Sequence, residues 1–242
     1  MDKKITVHTS RTMMFAELSK VMDYVTEDVT YLDSLHLNIT NKKTKSNQDK
    51  TTGFLQQLYD FDLTKPSFRA FKYFWHVVEE RDKPVLTLLY AIGRDYLLAE
   101  SYPVIATTNH GDKVTIEKLE ETIDSYHPKR YTDNTKRSLA QNIASSWKQA
   151  GFITGKVKNI RTQPDIGYAT IAFAFLMAYL NGERGDFILT SIWSKAMCLG
   201  ENQLRELASE AAKRDLLQYQ YAGNITSISF TNLLKQLDID GI

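Results

Sequence analysis

An apolar run at residues 169–180 constrains the fold more than any other feature of this sequence. Only Thr170 interrupts the run, and Asn181-Gly182 ends it. Its length is about half of the ~20 apolar residues that a membrane-spanning helix needs. A helix that is apolar on all sides must be covered by other elements of the protein. We therefore predict a buried helix here and no association with a membrane.

Helical periodicity extends over the first hundred residues. Apolar side chains recur three and four positions apart, which is the spacing of one face of an α-helix. Pro66 can begin a helix. The aromatic stripe behind it consists of Phe68, Phe71, Phe74, Trp75 and Val78. We expect this stripe to lie in the core of a helical bundle.

Capping and turn residues organise the middle of the chain. An Asn-His-Gly-Asp turn ends the bundle, and a short helix is predicted over residues 116–126. Thr132 or Asp133 can cap a longer helix that ends near Gln149. Residues 151–157 then have the pattern of a strand, a tight turn and a second strand.

Three further helices and a hairpin are predicted in the last part of the chain. The helices are expected over residues 168–180, 187–197 and 201–214, and the strands over residues 217–221 and 225–230. Ala222-Gly223-Asn224 joins the strands, and Gly and Asn tolerate the positive φ that hairpin turns require. Three helices followed by a hairpin is the order of a winged helix-turn-helix domain.

These patterns predict a mainly α fold in three parts. Residues 1–112 form an N-terminal helical bundle, and residues 113–164 form a basic helix-plus-hairpin element. Residues 165–242 form a winged-helix-like domain. Winged-helix-like elements are thus expected both in the middle of the chain and at its C-terminus.

The basic charge of the chain is concentrated in residues 128–161. This stretch holds eight Lys or Arg residues and one acid, Asp133, although the net charge of the whole chain is only +1. On a helical wheel of the 133–149 helix, Arg137, Gln141 and Lys148 share one face with Asn134 and Ser145. Arg and amide side chains can pair with base edges, and Lys can bind phosphates.

We therefore predict a DNA-binding surface on this element. Arg137, Gln141 and Lys148 are expected to contact the duplex, and Lys136 extends the same cationic helix. The phosphate-neutralising residues are expected to be Lys129, Arg130, Lys156, Lys158 and Arg161. A solvated surface or a protein interface is the alternative interpretation of the same face.

Two other basic segments are weaker candidates. The 201–214 helix places Arg205 and Lys213 on an outer face, but Glu201 and Glu206 lie alongside and would repel phosphates. Its domain therefore also fits a packing or partner-docking role. Lys42, Lys43, Lys45 and Lys50 form a third patch, which fits either a basic loop or the start of a helix.

No motif in the sequence supports catalysis or a cofactor. The single Cys198 excludes an internal disulfide and suits a reducing cytoplasm. The five histidines are scattered without metal-ligand spacing, and Gly-rich phosphate loops and a Gly-x-Ser-x-Gly motif are absent. The nearest fragments to a nuclease site are Pro164-Asp165 and residues 79–83. We expect no cofactor, no metal and no enzymatic activity.

The order of elements resembles the BrxA family of small proteins from bacterial phage-defence islands of the BREX type. The resemblance covers roughly residues 40–160. It is carried by Asn41-Lys42-Lys43-Thr44-Lys45 before a helix ending in Leu58-Tyr59, by the helices at 86–96 and 116–126, and by Ala150-Gly151-Phe152-Ile153 after the basic helix. Residues 165–242 extend beyond the family pattern, and the N-terminal segment matches it poorly.

The resemblance implies a non-enzymatic, winged-helix-containing protein that binds DNA within an antiviral defence complex. It supplies no catalytic residues. The sequence therefore predicts a cytoplasmic, bacterial DNA-binding component of a multi-protein system, with double-stranded DNA and other proteins of that system as partners. The alternative is an adaptor or scaffold subunit that binds only proteins and uses an exposed apolar patch.

Overall fold

Short helices joined by tight turns make up most of the chain. The computed structural model describes residues 5–25, 30–223 and 225–239. Their helices are α1 (Phe15–Tyr24), α2 (Tyr31–His36), α3 (Lys45–Tyr59), α4 (Pro66–Val77), α5 (Lys83–Ile92), α6 (Tyr96–Glu100), α7 (Tyr102–Thr107), α8 (Ile116–Tyr126), α9 (Asp133–Gln149), α10 (Tyr168–Leu180), α11 (Asp186–Leu189), α12 (Ile192–Ala196), α13 (Glu201–Ala212) and α14 (Thr231–Gln236), with a 3-10 turn at Glu80–Asp82.

Two small antiparallel sheets complete the described part of the chain. Strand β1 (Ile153–Thr154) pairs with β2 (Ile160–Arg161), and β3 (Gln218–Ala222) pairs with β4 (Ile225–Ser229). The prediction of a mainly α fold is therefore confirmed. The turn of the second hairpin includes Gly223 at φ 61°, while Asn224 lies outside the described residues.

Helix α10 is buried along almost its whole length, as the apolar run predicts. Every residue from Ala169 to Ala178 is buried. None of the described helices combines the length and the apolar character that crossing a membrane requires. The hydrophobic effect therefore holds α10 inside the protein, because each of its faces must be covered by another helix.

The partners of α10 come from both halves of the chain. It packs against α4 and α5 of the first half and against α12 and α13 of the second half. The Phe173 ring lies 6.1 Å from the Phe71 ring and 5.6 Å from the Phe74 ring. The aromatic stripe of α4 is thus core, as predicted. Described residues of all three predicted domains share one hydrophobic core, and the domain boundaries stay a prediction.

A buried carboxylate fixes the start of α10. Asp82 Oδ2 accepts hydrogen bonds from the Gly167 amide (3.0 Å) and from the Thr170 hydroxyl (3.1 Å). Burial raises the pKa of Asp82 above its ordinary value. A Cβ atom on Gly167 would lie 2.6 Å from the same oxygen, so a larger residue here would displace the Asp82 carboxylate.

The predicted helix at residues 187–197 is instead two short helices. The helix is interrupted at Thr190-Ser191, where the backbone of Ser191 is extended. The Ser191 hydroxyl accepts a hydrogen bond from the Ser194 amide (3.1 Å) and so caps α12. Ser competes with the helix by bonding to nearby backbone, which makes it a start signal rather than an interior residue.

Candidate nucleic-acid interface

Helices α8 and α9 pack together, and each begins at a capping threonine. The Thr115 hydroxyl accepts from the Lys118 amide (3.2 Å), and the Thr132 hydroxyl accepts from the Thr135 amide (3.3 Å). The bounds of both helices agree with the sequence prediction. The apolar face of α9 buries Leu139, Ile143 and Trp147.

The opposite face of α9, here called the polar face, is open to solvent. Asn134, Arg137 and Gln141 are exposed, and Ser145 and Lys148 are half-buried. The helical wheel therefore placed these five residues on the correct side. Apart from Asp133 at the first turn, α9 carries no acid, so the polar face has the charge pattern of an anion-binding surface.

One further backbone pairing extends the β1–β2 hairpin. Lys113 forms an isolated antiparallel bridge with Ile160. The Val114 amide donates to the Asn159 carbonyl (2.9 Å), and the Arg161 amide donates to the Asp112 carbonyl (2.8 Å). A single pairing residue produces no alternation pattern, so this bridge could not be predicted from the sequence.

The tip of the β1–β2 hairpin carries two cations and one apolar side chain. Lys156 and Lys158 are exposed, and Val157 between them is 92% exposed. Gly155 has φ 95°, and a Cβ atom there would collide with the Lys158 carbonyl oxygen. Lys148 of α9 donates to the Gly155 carbonyl (2.8 Å), so the tip is joined directly to the polar face.

Arg161 does not have the predicted phosphate-binding role in this fold. Its side chain is only 5% exposed. The guanidinium donates to the Ile105 carbonyl (2.9 Å), the Thr162 carbonyl and Gln163 Oε1 (3.0 Å). Strand alternation turns Arg161 inward, where it connects the hairpin to α7 and to the segment that leads into α10.

The turn between α8 and α9 places two more cations at the surface. Lys129 is exposed at φ 61°, and Arg130 is exposed with its guanidinium over the rings of Tyr96 (5.7 Å) and Tyr131 (5.5 Å). The Tyr96 and Tyr131 hydroxyls lie 2.8 Å apart. Stacking on two rings orients Arg130 without neutralising its charge.

Lys136 differs from its neighbours because it is already paired. Its ammonium lies 3.1 Å from Asp133 and 3.2 Å from Asp124. These hydrogen bonds raise the pKa of Lys136 above its ordinary value. Two carboxylates offset its charge, so Lys136 contributes less to phosphate attraction than the sequence suggested.

The remaining predicted cations form one unpaired set. Among the residues that the structure describes, none of them lies in an ion pair. The set consists of Lys129, Arg130, Arg137, Lys148, Lys156 and Lys158. They come from the turn, the polar face and the hairpin tip, which are consecutive parts of one element. We call this set, together with Gln141, the basic surface.

Hydrogen bonds attach the N-terminal segment at residues 8–15 to α9. Asn142 Nδ2 donates to the His8 carbonyl (2.8 Å), and Ser146 Oγ accepts from the Met13 amide (2.8 Å). Gln149 Oε1 accepts from the Phe15 amide (3.0 Å). These three α9 residues are four and three positions apart and therefore lie on one side of the helix. No local sequence signal indicated contacts with a segment so distant in the chain.

A buried acid–imidazole–hydroxyl network reinforces this attachment. His8 Nδ1 lies 2.8 Å from Asp95 Oδ2, and His8 Nε2 lies 2.8 Å from Ser146 Oγ. All three residues have 0% exposure, so no substrate can reach the hydroxyl. Asp95 also accepts from the amides of Val7 (2.7 Å) and of Leu97 at the start of α6. The network joins the N-terminal segment, α6 and α9.

The weaker basic candidates are partly neutralised. Arg205 of α13 lies 2.8 Å from Glu201 and 3.3 Å from Asp186 and donates to Thr226 Oγ1 (2.8 Å). In the third patch, Lys42 pairs with Glu17 (2.7 Å) and Lys45 pairs with Asp49 (3.1 Å). Lys45 is also the first residue of α3, which favours the helix-start interpretation.

The two acidic fragments noted in the sequence come together through an arginine. Arg81 pairs with Asp165 and also with Glu79 (2.8 Å). A guanidinium between the carboxylates takes the place that a cation would need. Within the described residues, no group of three or more His, Cys, Asp or Glu side chains is arranged to hold a metal ion.

No protein-family model, curated protein sequence or solved structure gives a significant match to this chain.

Proposed function

We propose that this chain is a non-enzymatic DNA-binding protein whose basic surface contacts the duplex. The observation that supports this most strongly is the set of six cations on one continuous element that have no ion-pair partner among the described residues. Surfaces that serve only solvation mix both signs of charge, whereas residues 128–161 hold a single acid, Asp133, which is paired with Lys136. Phosphate attraction of this kind supplies most of non-specific DNA affinity.

The order of elements in this region also supports the interpretation that it is a winged helix. An isolated β-bridge at Lys113 is followed by α8, α9 and the β1–β2 hairpin. In helix-turn-helix proteins, the second helix enters the major groove and presents side chains to base edges. In our proposal α9 is that helix, with Arg137 and Gln141 toward the bases. The hairpin then lies along the adjacent backbone with Lys156 and Lys158 at phosphates.

The biological setting of the proposal comes from the resemblance to the BrxA family. It implies a cytoplasmic role in a prokaryotic multi-protein system, with phage defence as the process served. The competing function is a protein adaptor without nucleic-acid contact. One feature favours that alternative. The outer face of α13 carries acids rather than free cations.

The test is duplex DNA binding by fluorescence anisotropy across a salt series. For Lys156→Gln/Lys158→Gln, we expect the slope of log affinity against log salt to become shallower by about 2, because two phosphate contacts are lost. The matched control is Lys213→Gln/Lys235→Gln, which removes two exposed lysines far along the chain, one at the end of α13 and one in α14. This control should retain the wild-type slope.

Two results would count against the proposal. Wild-type protein that fails to bind duplex DNA even at low salt would reject DNA binding and leave the adaptor function. Equal slopes for wild type and the hairpin variant would remove the hairpin from the interface. RNA duplexes in the same assay establish which nucleic acid is preferred.

A further inference from the structure

A groove separates α13 from the extended segment that precedes α10. Its volume is about 520 Å³. One wall is a stripe of α13 formed by Gln203, Glu206, Leu207 and Glu210, and the other is the segment from Gln163 to Ile166. The stripe covers two helical turns, or about 10 Å. The groove is therefore long enough to take about two turns of a docked helix.

The floor of the groove is apolar and firmly held. Ile166 is 6% exposed, and Leu199 and Leu207 are half-buried against the core. Gln163 Nε2 donates to the Met197 carbonyl (3.0 Å), and Gln163 Oε1 accepts from Arg161 (3.0 Å). These bonds fix the wall opposite α13, so the groove exists before any partner binds.

The ionisable side chains that line the groove are all acidic. Asp165, Glu206 and Glu210 are among its lining residues, which include no Lys, Arg or His. Asp165 is paired with Arg81, and Glu210 forms an exposed pair with Arg214 on the same helix (3.0 Å), a kind of pair that contributes little and that a partner's cation can replace. Glu206 is exposed, and within the described residues it has no ion-pair partner. Glu206 and Glu210 therefore attract a cationic partner and repel nucleic acid.

We propose that this groove docks a cationic amphipathic segment of a partner protein. Apolar side chains of the segment pack on Ile166, Leu199 and Leu207, and its Lys or Arg side chains pair with Glu206 and Glu210. This is the helix-in-groove mode of recognition, in which apolar anchors supply affinity and charges set orientation. The inference is independent of DNA binding, because groove and basic surface carry opposite charges on different elements.

The test uses a labelled amphipathic helix of leucine and lysine as the probe, with anisotropy as the readout. We expect saturable binding to wild-type protein and at least about tenfold weaker binding to Glu206→Lys/Glu210→Lys, since two attractions become repulsions. The matched control is Glu117→Lys/Glu121→Lys on α8, which has the same charge change and spacing at exposed positions. It should bind the probe as wild type does.

A second probe and a milder variant keep the result decisive. A lysine and serine peptide of equal charge should bind at least about tenfold more weakly, because it lacks apolar anchors. Glu206→Gln/Glu210→Gln should show an intermediate loss and covers the case in which the reversed variant misfolds. The proposal is overturned by absent wild-type binding, by equal loss in the α8 control, or by equal affinity for the two peptides.

Discussion

Arg137→Glu/Gln141→Glu is expected to lower affinity for duplex DNA by at least about 100-fold at low salt. Side chains that contact base edges contribute about 1–3 kcal/mol each, and tenfold corresponds to about 1.4 kcal/mol. The two substitutions also place carboxylates where the phosphate backbone and base edges would lie. Both residues are exposed, and neither makes a side-chain hydrogen bond to a described residue, so the fold should be unaffected.

A control with the same charge change separates local contact from net charge. Thr231→Glu/Lys235→Glu lies on α14, has the same four-residue spacing, and alters two exposed positions. We expect a change of less than about threefold for this variant, since screening at the Debye length weakens distant charges. If both variants lose affinity equally, the polar face of α9 is not the contact surface.

Asp95→Ala is expected to lower the free energy of unfolding by about 3–5 kcal/mol, because it leaves several buried hydrogen-bond donors without an acceptor. Its carboxylate accepts from His8 Nδ1, from the Val7 amide and from two amides at the start of α6. All of these donors would be left unpaired inside the protein. Urea denaturation followed by circular dichroism measures the change.

The matched control for this variant is Asp62→Ala. Asp62 accepts from the Thr64 amide (2.8 Å) in a turn near the surface, so water can replace its hydrogen bonds. We expect its urea midpoint to stay close to that of the wild type. An Asp95→Ala midpoint as close to the wild type as that of Asp62→Ala would show that the buried network does not hold the N-terminal segment.

The same carboxylate predicts how stability depends on pH. Burial favours the neutral acid, but the pairing with His8 and the amides of Val7 and Leu98 hold the pKa of Asp95 below its ordinary value. Its stabilising contribution is therefore complete above the unfolded pKa of about 4 and is lost as pH falls through the folded pKa. Urea denaturation below pH 4 should show a steeper loss for wild type than for Asp95→Asn. Parallel curves would contradict the assignment.

Local signals predicted the position of the basic helix well. Thr132 is a strong N-cap, and the apolar residues of α9 recur at helical spacing, so its ends and its polar face follow from sequence alone. The buried α10 followed from composition in the same way. In both cases the information lies within one helix, where neighbouring residues determine the structure.

Contacts between distant segments could not be predicted. Arg161 was predicted to be a surface cation, but its backbone pairs with Ile153 and Asp112, and its side chain points inward. The sequence around Ser146 does not indicate that His8 of the N-terminal segment lies beside it. The roles of Arg161 and Ser146 thus depend on partners elsewhere in the chain. The break at Ser191 is different, because its hydroxyl caps an amide only three residues away, that of Ser194.

The central position of α10 has a consequence for how the protein is synthesised. Phe71 and Phe74 of α4 leave the ribosome well before Phe173, the residue whose ring covers them. At about 5–20 residues per second, this interval lasts several seconds. During that time the aromatic faces of the nascent N-terminal helices have no α10 to cover them. The core therefore cannot be completed before the later part of the chain is made. A chain that ends before α10 would be an aggregation-prone fragment.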